Sequence, residues 1–186
     1  VETFARAAGR AKAAGADGVE LHGCNGYLFT QFLSSAINDR EDDYGGSLEN
    51  RARLLRRVVQ AIREEVGGAY HLQVKLSATD FHDALEPWLP AGNTIEDSVV
   101  VARWLEGDGV DALHVSTGSF FPHPRNPIGA LPTREAAENY DSMLGSGSHT
   151  MRNYLAFRFL PSLSKAIWER TTSRAGVPLE GVSLDD

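Results

Sequence analysis

Apolar residues recur along this chain in two alternating rhythms. Spacings of three and four through Phe4, Ala5, Ala8 and Ala11 to Ala14 predict a helix stopped by Gly15. The next stretch, "DGVELH" at 17–22, alternates apolar and polar positions as a strand does. Leu54, Leu55, Val58, Val59, Ile62 and Val66 then predict a helix that starts after an N-cap at Ser47 and ends at Gly67 and Gly68. "HLQVKLS" at 71–77 reads as a second strand, and "DFHDALEPWLPAGN" at 80–93 as a loop. Thr94 caps a helix through Val99, Val100, Ala102 and Leu105, and "DALHVSTGS" at 111–119 reads as a third strand.

The unit repeats: Gly15-Ala16-Asp17 and Gly109-Val110-Asp111 each lead from the end of a helix into a strand. Strands alternating with amphipathic helices pair in parallel through right-handed crossovers, leaving a doubly wound sheet or a closed (β/α) barrel. In the three strands Val19, Leu21, Leu72, Val74, Leu76, Leu113 and Val115 share the face that packs on helices. The other face carries Glu20, His22, Gln73, Lys75, Ser77, His114 and Ser116. A sheet covered by helices on both sides reads as nearly continuous apolar strands, so these favour a barrel with functional groups inside or at its rim. The fold expected is α/β, a partial (β/α)8 TIM barrel over residues 1–132 followed by a helical segment over 133–186.

A loop directly after a barrel strand lies on the C-terminal face, where active sites of that fold are built. "HGCNGY" puts His22, Asn25 and Tyr27 there. A histidine nitrogen and an asparagine amide can both donate to one substrate oxygen on which negative charge develops. A tyrosine, with an ordinary pKa near 10, stays protonated at neutral pH and suits delivering a proton to a basic carbon. On spacing alone, the same residues could equally satisfy loop backbone groups around a half-buried ring.

Composition narrows the partners. The chain has 186 residues, 42% hydrophobic and 23% charged, with a formal net charge of −7, so it has no general attraction to nucleic acid or to an anionic membrane. No apolar run approaches the ~20 residues of a membrane span, and the single cysteine, Cys24, forms no internal disulfide. A reducing, cytoplasmic setting and a small-molecule substrate are expected, and a homo-oligomer is compatible. Val1 is already in helical rhythm, so the chain reads as cut from something longer.

The run "HGCNGYLFTQFLSSAINDREDDYGGSLENRAR" resembles the segment after the fourth barrel strand of the Old Yellow Enzyme family of flavin-dependent NAD(P)H oxidoreductases. The matching positions are His22, Asn25, Gly26 and Tyr27, then Asp42 or Asp43, Tyr44, Gly45, Gly46, Ser47, Asn50 and Arg51, strengthened by "VKLSATDF" at 74–81. The resemblance covers the chain to about residue 120 and implies a central fragment of an FMN-containing barrel, about strands four to six. It implies reduction of activated alkenes, typically α,β-unsaturated carbonyl compounds, with hydride from NADH or NADPH. His22 and Asn25 would hold the carbonyl oxygen, Tyr27 would protonate the α-carbon, and Lys75 would meet the flavin pyrimidine edge. Lys75 paired with Glu20 inside the barrel is the alternative. Earlier strands and the last two would supply further flavin contacts and the FMN phosphate site, so residues 1–186 alone are expected to bind FMN weakly, with little activity. A non-catalytic remnant or association module remains the other reading.

Other residues are expected to be structural. Gly45 and Gly46 suit a turn better than a phosphate loop, and Tyr44 and Arg51 read as scaffold. Cys24 with His22 makes no closed metal site. His114 is expected to be a satisfied interior histidine, while His82, His123 and His149 fall in polar loops without a readable signal. In the last third, Pro161 splits "NYLAFRFLPSLSKAIWERTTSR" into two helices, expected to pack over the barrel mouth rather than on a membrane or partner. "GSGSH" at 145–149 reads as a mobile joint.

Overall fold

The structure is a computed structural model that describes residues 1–83, 85, 86, 88, 90–117, 119, 137, 138, 140, 141 and 144–175. Three strands, β1 (Gly18–Gly23), β2 (His71–Ser77) and β3 (Ala112–Ser116), form a parallel sheet in the order β1-β2-β3. Helices α1 (Glu2–Ala13), α2 (Leu28–Leu33), α3 (Leu48–Val66) and α4 (Ile95–Gly107) alternate with them, and α5 (Ser148–Phe159) and α6 (Pro161–Ala175) follow.

The helix ends follow local chemistry. Ser47 accepts a hydrogen bond from the Asn50 N–H at the start of α3, and Gly67 ends that helix at φ +79°, a left-handed conformation that glycine adopts without a side-chain clash. Thr94 and Asp97 make a reciprocal capping box on α4. Thr94→Ala removes half of that box and is expected to lower stability by about 1 kcal/mol, read as a shift of the urea unfolding midpoint at unchanged slope.

Side-chain alternation sorts the sheet as the pattern requires. Leu21, Leu72, Val74 and Leu76 are buried with Leu55, Val58, Val59 and Ile62 of α3 and Val101 and Leu105 of α4, in one core on the helix side. The polar residues of β1 and β2 occupy the opposite face, where the register sets His22 beside Lys75 and Lys75 beside His114. On β3 the alternation holds but its burial does not: Leu113 is 38% and Val115 63% exposed. With Ile95, Val99 and Val100 of α4, also exposed, they form an apolar flank beside β3.

The loop from 34 to 47 is scaffold. Arg51 is buried and donates to the Leu33 carbonyl at 2.7 Å and the Gly46 carbonyl at 2.6 Å, fastening the end of α2 to the start of α3. A Cβ on Gly45 would overlap the Arg40 carbonyl, so this glycine serves close backbone approach within a turn.

The run after Tyr27, to which the apolar pattern assigns no element, is a short helix, α2, with Phe29 and Leu33 buried in the core. Two expectations change. The third strand stops at Ser116, and Ser119 makes an isolated parallel bridge to Asn25. The 145–149 joint is held: the Ser148 N–H donates to Asp39 Oδ2 at 2.8 Å, and a Cβ on Gly147 would overlap Asp39 Oδ1.

Pro161 separates α5 from α6 as expected. These helices build a second core in which Phe157 and Trp168 pack with Tyr140, Ile37 and Leu85, the last two from the loops that follow α2 and β2. No described helix is long and apolar enough to cross a membrane.

Candidate active site

β1 ends at Gly23, and the chain turns through Asn25 at φ +60° and Gly26 at φ +87° into α2. Asparagine is among the few side chains that tolerate the left-handed region. The turn leaves His22 as the last polar-face residue of the strand and Tyr27 at the N-terminal boundary of α2, with the two rings 4.7 Å apart and inclined at 51°. His22 is exposed, Asn25 partly buried and Tyr27 43% exposed, so all three reach a surface that a ligand can approach.

Cys24 lies beneath them, fully buried, and its thiol donates to Asn25 Oδ1 at 2.8 Å. The thiol bond fixes which end of the Asn25 amide is the acceptor and leaves the NH2 as its donor end. Burial pushes the Cys24 thiol up from its ordinary range, which keeps it protonated and disfavours the thiolate a nucleophile needs. Among the described residues no group of three or more histidine, cysteine, aspartate or glutamate side chains could hold a metal ion.

Burial, followed by the charge of Lys75, lowers the His22 pKa, so the imidazole is neutral at pH 7 and keeps one N–H donor. Lys75 is half-buried on the same face, and no described side chain forms an ion pair or hydrogen bond with it. Glu20 instead accepts from Gln73 and faces His114 Nδ1 at 3.1 Å; those contacts, led by Gln73, hold its carboxyl below the usual range. The Lys75–Glu20 alternative is thus not formed, and His114 is half-exposed rather than interior. The inner face of the sheet offers N–H donors from His22, Lys75 and the Asn25 amide, a set suited to an acceptor-rich or anionic ligand.

Two histidines without a readable sequence signal are buried. His82 bridges Ser34 and Ser119, with Nδ1 2.9 Å from Ser34 Oγ and Nε2 3.0 Å from Ser119 Oγ. His149 lies on α5, its Nδ1 3.0 Å from Glu86 Oε2. His123 lies outside the described residues. Nearby, Asp80 is buried, which raises its pKa to about 6, and Oδ1 of Asp80, Oγ of Ser77 and Oδ1 of Asn93 lack hydrogen-bond partners among the described residues.

Residues 1–128 match the model of the NADH:flavin oxidoreductase / NADH oxidase family. The chain belongs to that family. It is 45% identical over 122 residues to an NADPH dehydrogenase of Bacillus licheniformis and 43% identical over the same length to one of Bacillus cytotoxicus, covering 66% of this chain and 33% of each relative. The chain thus spans about a third of the length of these curated relatives. Among solved structures, it is similar to a 2-naphthoyl-CoA reductase in complex with 2-naphthoyl-CoA, at 32% identity and a TM-score of 0.58 over 78% of this chain and 21% of that one. It is also similar to an Old Yellow Enzyme homologue from Zymomonas mobilis, at 27% identity and a TM-score of 0.53 over 73% of this chain and 37% of that one. The family is one of FMN-dependent flavin oxidoreductases, and both of these curated relatives are NADPH dehydrogenases.

Proposed function

We propose that this chain is the substrate-side portion of an FMN-dependent ene-reductase acting on α,β-unsaturated carbonyl compounds. The observation that carries the reading is the juxtaposition at the end of β1: His22 and Tyr27 in ring contact, Asn25 held between them in a left-handed turn, and Lys75 in register beside His22 without an ion-pair partner among the described residues. Lys75 fits the flavin: a half-buried cation needs an anionic or acceptor-rich neighbour, and the pyrimidine edge of FMN is one. Lys75 and His22 would hold that edge. When bound, FMN supplies the hydride that adds to the β-carbon of the alkene.

The residues of this chain perform the remaining tasks. His22 and Asn25 donate to the carbonyl oxygen, drawing negative charge onto it as the β-carbon is attacked. Tyr27 stands against His22, where its hydroxyl proton can pass to the α-carbon. Neutral His22 suits an oxyanion donor, since it does not surrender its proton to the enolate it stabilises.

Residues 1–132 are proposed as part of a (β/α)8 barrel, about strands four to six, and 133–186 as a helical insertion. The apolar flank of Leu113, Val115, Val99 and Val100 supports this, because a further β/α unit would cover it. Taken alone, residues 1–186 would bind FMN weakly. A cytoplasmic setting fits the single buried thiol.

The test uses protein expressed from the complete reading frame, with NADPH and 2-cyclohexenone. His22→Ala and Asn25→Ala are each expected to lower turnover by ~10²–10³-fold, as loss of one oxyanion donor does. Unchanged turnover in both variants would remove the carbonyl-binding role.

A further inference from the structure

We propose that His82 is a positioning residue for this reaction, holding Asn25 in place through Ser119 from beneath the site. The inference rests on the reading of Asn25 as a donor to the substrate oxygen.

Asn25 occupies a left-handed backbone conformation that must be enforced from outside, and its constraints include the Cys24 thiol on its side-chain oxygen and the isolated backbone bridge to Ser119. Ser119 lies beyond the end of β3, and its bridge to Asn25 is an isolated one outside the named strands. What fixes Ser119 is His82, whose Nε2 is 3.0 Å from Ser119 Oγ. The other ring nitrogen is 2.9 Å from Ser34 Oγ, directly after α2, and Ser34 Oγ also accepts from the Ala36 N–H at 3.2 Å. The His82 N–H donates to the Ala91 carbonyl at 2.7 Å, anchoring the loop that carries the ring.

His82 is only 1% exposed and Ser34 is fully buried, so these bonds are sheltered from competing water. Each hydroxyl can donate or accept, so either neutral tautomer satisfies both contacts. The imidazole spans segments 48 and 37 residues away in sequence and ties the end of α2 to the strand extension that braces Asn25. A donor displaced by ~1 Å can cost ~100-fold in rate, so a group that never touches substrate can govern turnover in this way.

The two ring nitrogens permit a directional test. The longer side chain in His82→Gln carries its amide to the place of Nε2 and keeps the Ser119 arm, whereas His82→Asn replaces Nδ1 and keeps only the Ser34 arm. The complete protein would be assayed for kcat and KM toward 2-cyclohexenone and for its dissociation constant by calorimetry, with melting temperatures in parallel. His82→Asn and Ser119→Ala are expected to weaken 2-cyclohexenone binding and lower kcat/KM by about tenfold, with His82→Gln restoring most of it. In an Asn25→Ala background, the further loss from His82→Asn is expected to vanish, because both changes act through one group.

If His82→Gln and His82→Asn fall together, or if the losses multiply in the Asn25→Ala background, the positioning role is wrong and His82 is merely structural. If Asn25→Ala itself leaves binding and turnover unchanged, the reading of the site fails and takes this inference with it. Ser119→Ala, a small change at a residue nearer the rim, keeps the test decisive should the His82 variants fold poorly.

Discussion

Replacing Tyr27 with phenylalanine is expected to slow enone reduction by ~10²–10⁴-fold, the usual worth of a positioned general acid, while flavin reduction by NADPH proceeds at its normal rate. The ring stays: phenylalanine keeps the tilted contact with His22, 4.7 Å between centroids, and the start of α2, so packing changes little. What is lost is the hydroxyl, the proposed proton donor. Stopped-flow measurement of each half-reaction separates the two steps. A matched slowing of both would mean that Tyr27 shapes the flavin environment instead, and an unchanged oxidative step would mean that the proton comes from water.

The second large effect concerns stability. Glu86 is buried at the foot of α5, where it accepts from Arg152 Nε at 2.6 Å and Asn153 Nδ2 at 3.0 Å and faces His149 Nδ1 at 3.0 Å. Burial alone would push its carboxyl up, but the bonds from His149 and Arg152 override that and hold it at about 2. Glu86→Ala leaves His149 and Asn153 buried without that acceptor and is expected to cost about 3 kcal/mol. That is the low end of the range for a broken buried pair, chosen because the Arg152 side chain is 49% exposed.

The folded-state pKa of Glu86 lies below its ordinary value of 4.5, so the carboxylate's contribution is complete above that value and is lost as pH falls from about 4.5 toward 2. Urea midpoints of the parent and Glu86→Gln should therefore differ widely at pH 7 and draw together as the pH approaches 2. A gap that stays constant with pH would mean that the carboxylate charge is not what fastens α5.

Particular residues explain which parts of the molecule were legible in the sequence. Period-two alternation in "GVELHG" and "HLQVKLS" is a local signal, and it placed Leu21, Val74 and Leu76 in the core and His22 and Lys75 on the opposite face. Ser47 and Thr94 are caps within four residues of the groups they bind. Helix α2 escaped because six residues hold too little periodicity to register, and because Tyr27 at its N-cap makes no side-chain cap bond. His82 and His149 escaped for a different reason. Both sit among polar neighbours in sequence, yet their burial depends on partners 37 to 63 residues away, which no window along the chain contains.

The site divides the same way. His22, Asn25 and Tyr27 lie within six positions, so one loop brings them together, and Lys75 joins them through the parallel register of β1 and β2. The constraints on Asn25 from Cys24 and Ser119 needed three dimensions. Asn25 at φ +60° is also invisible to composition, since asparagine serves many ordinary turns.

The most direct experiment takes protein purified from the complete reading frame and records its visible spectrum anaerobically, after NADPH, and after 2-cyclohexenone. An FMN-dependent ene-reductase gives an oxidised FMN spectrum that bleaches with NADPH and returns on addition of the enone, with cyclohexanone as the product. A protein that stays colourless even with added FMN, or a bleached flavin that the enone fails to reoxidise, would contradict the proposed function.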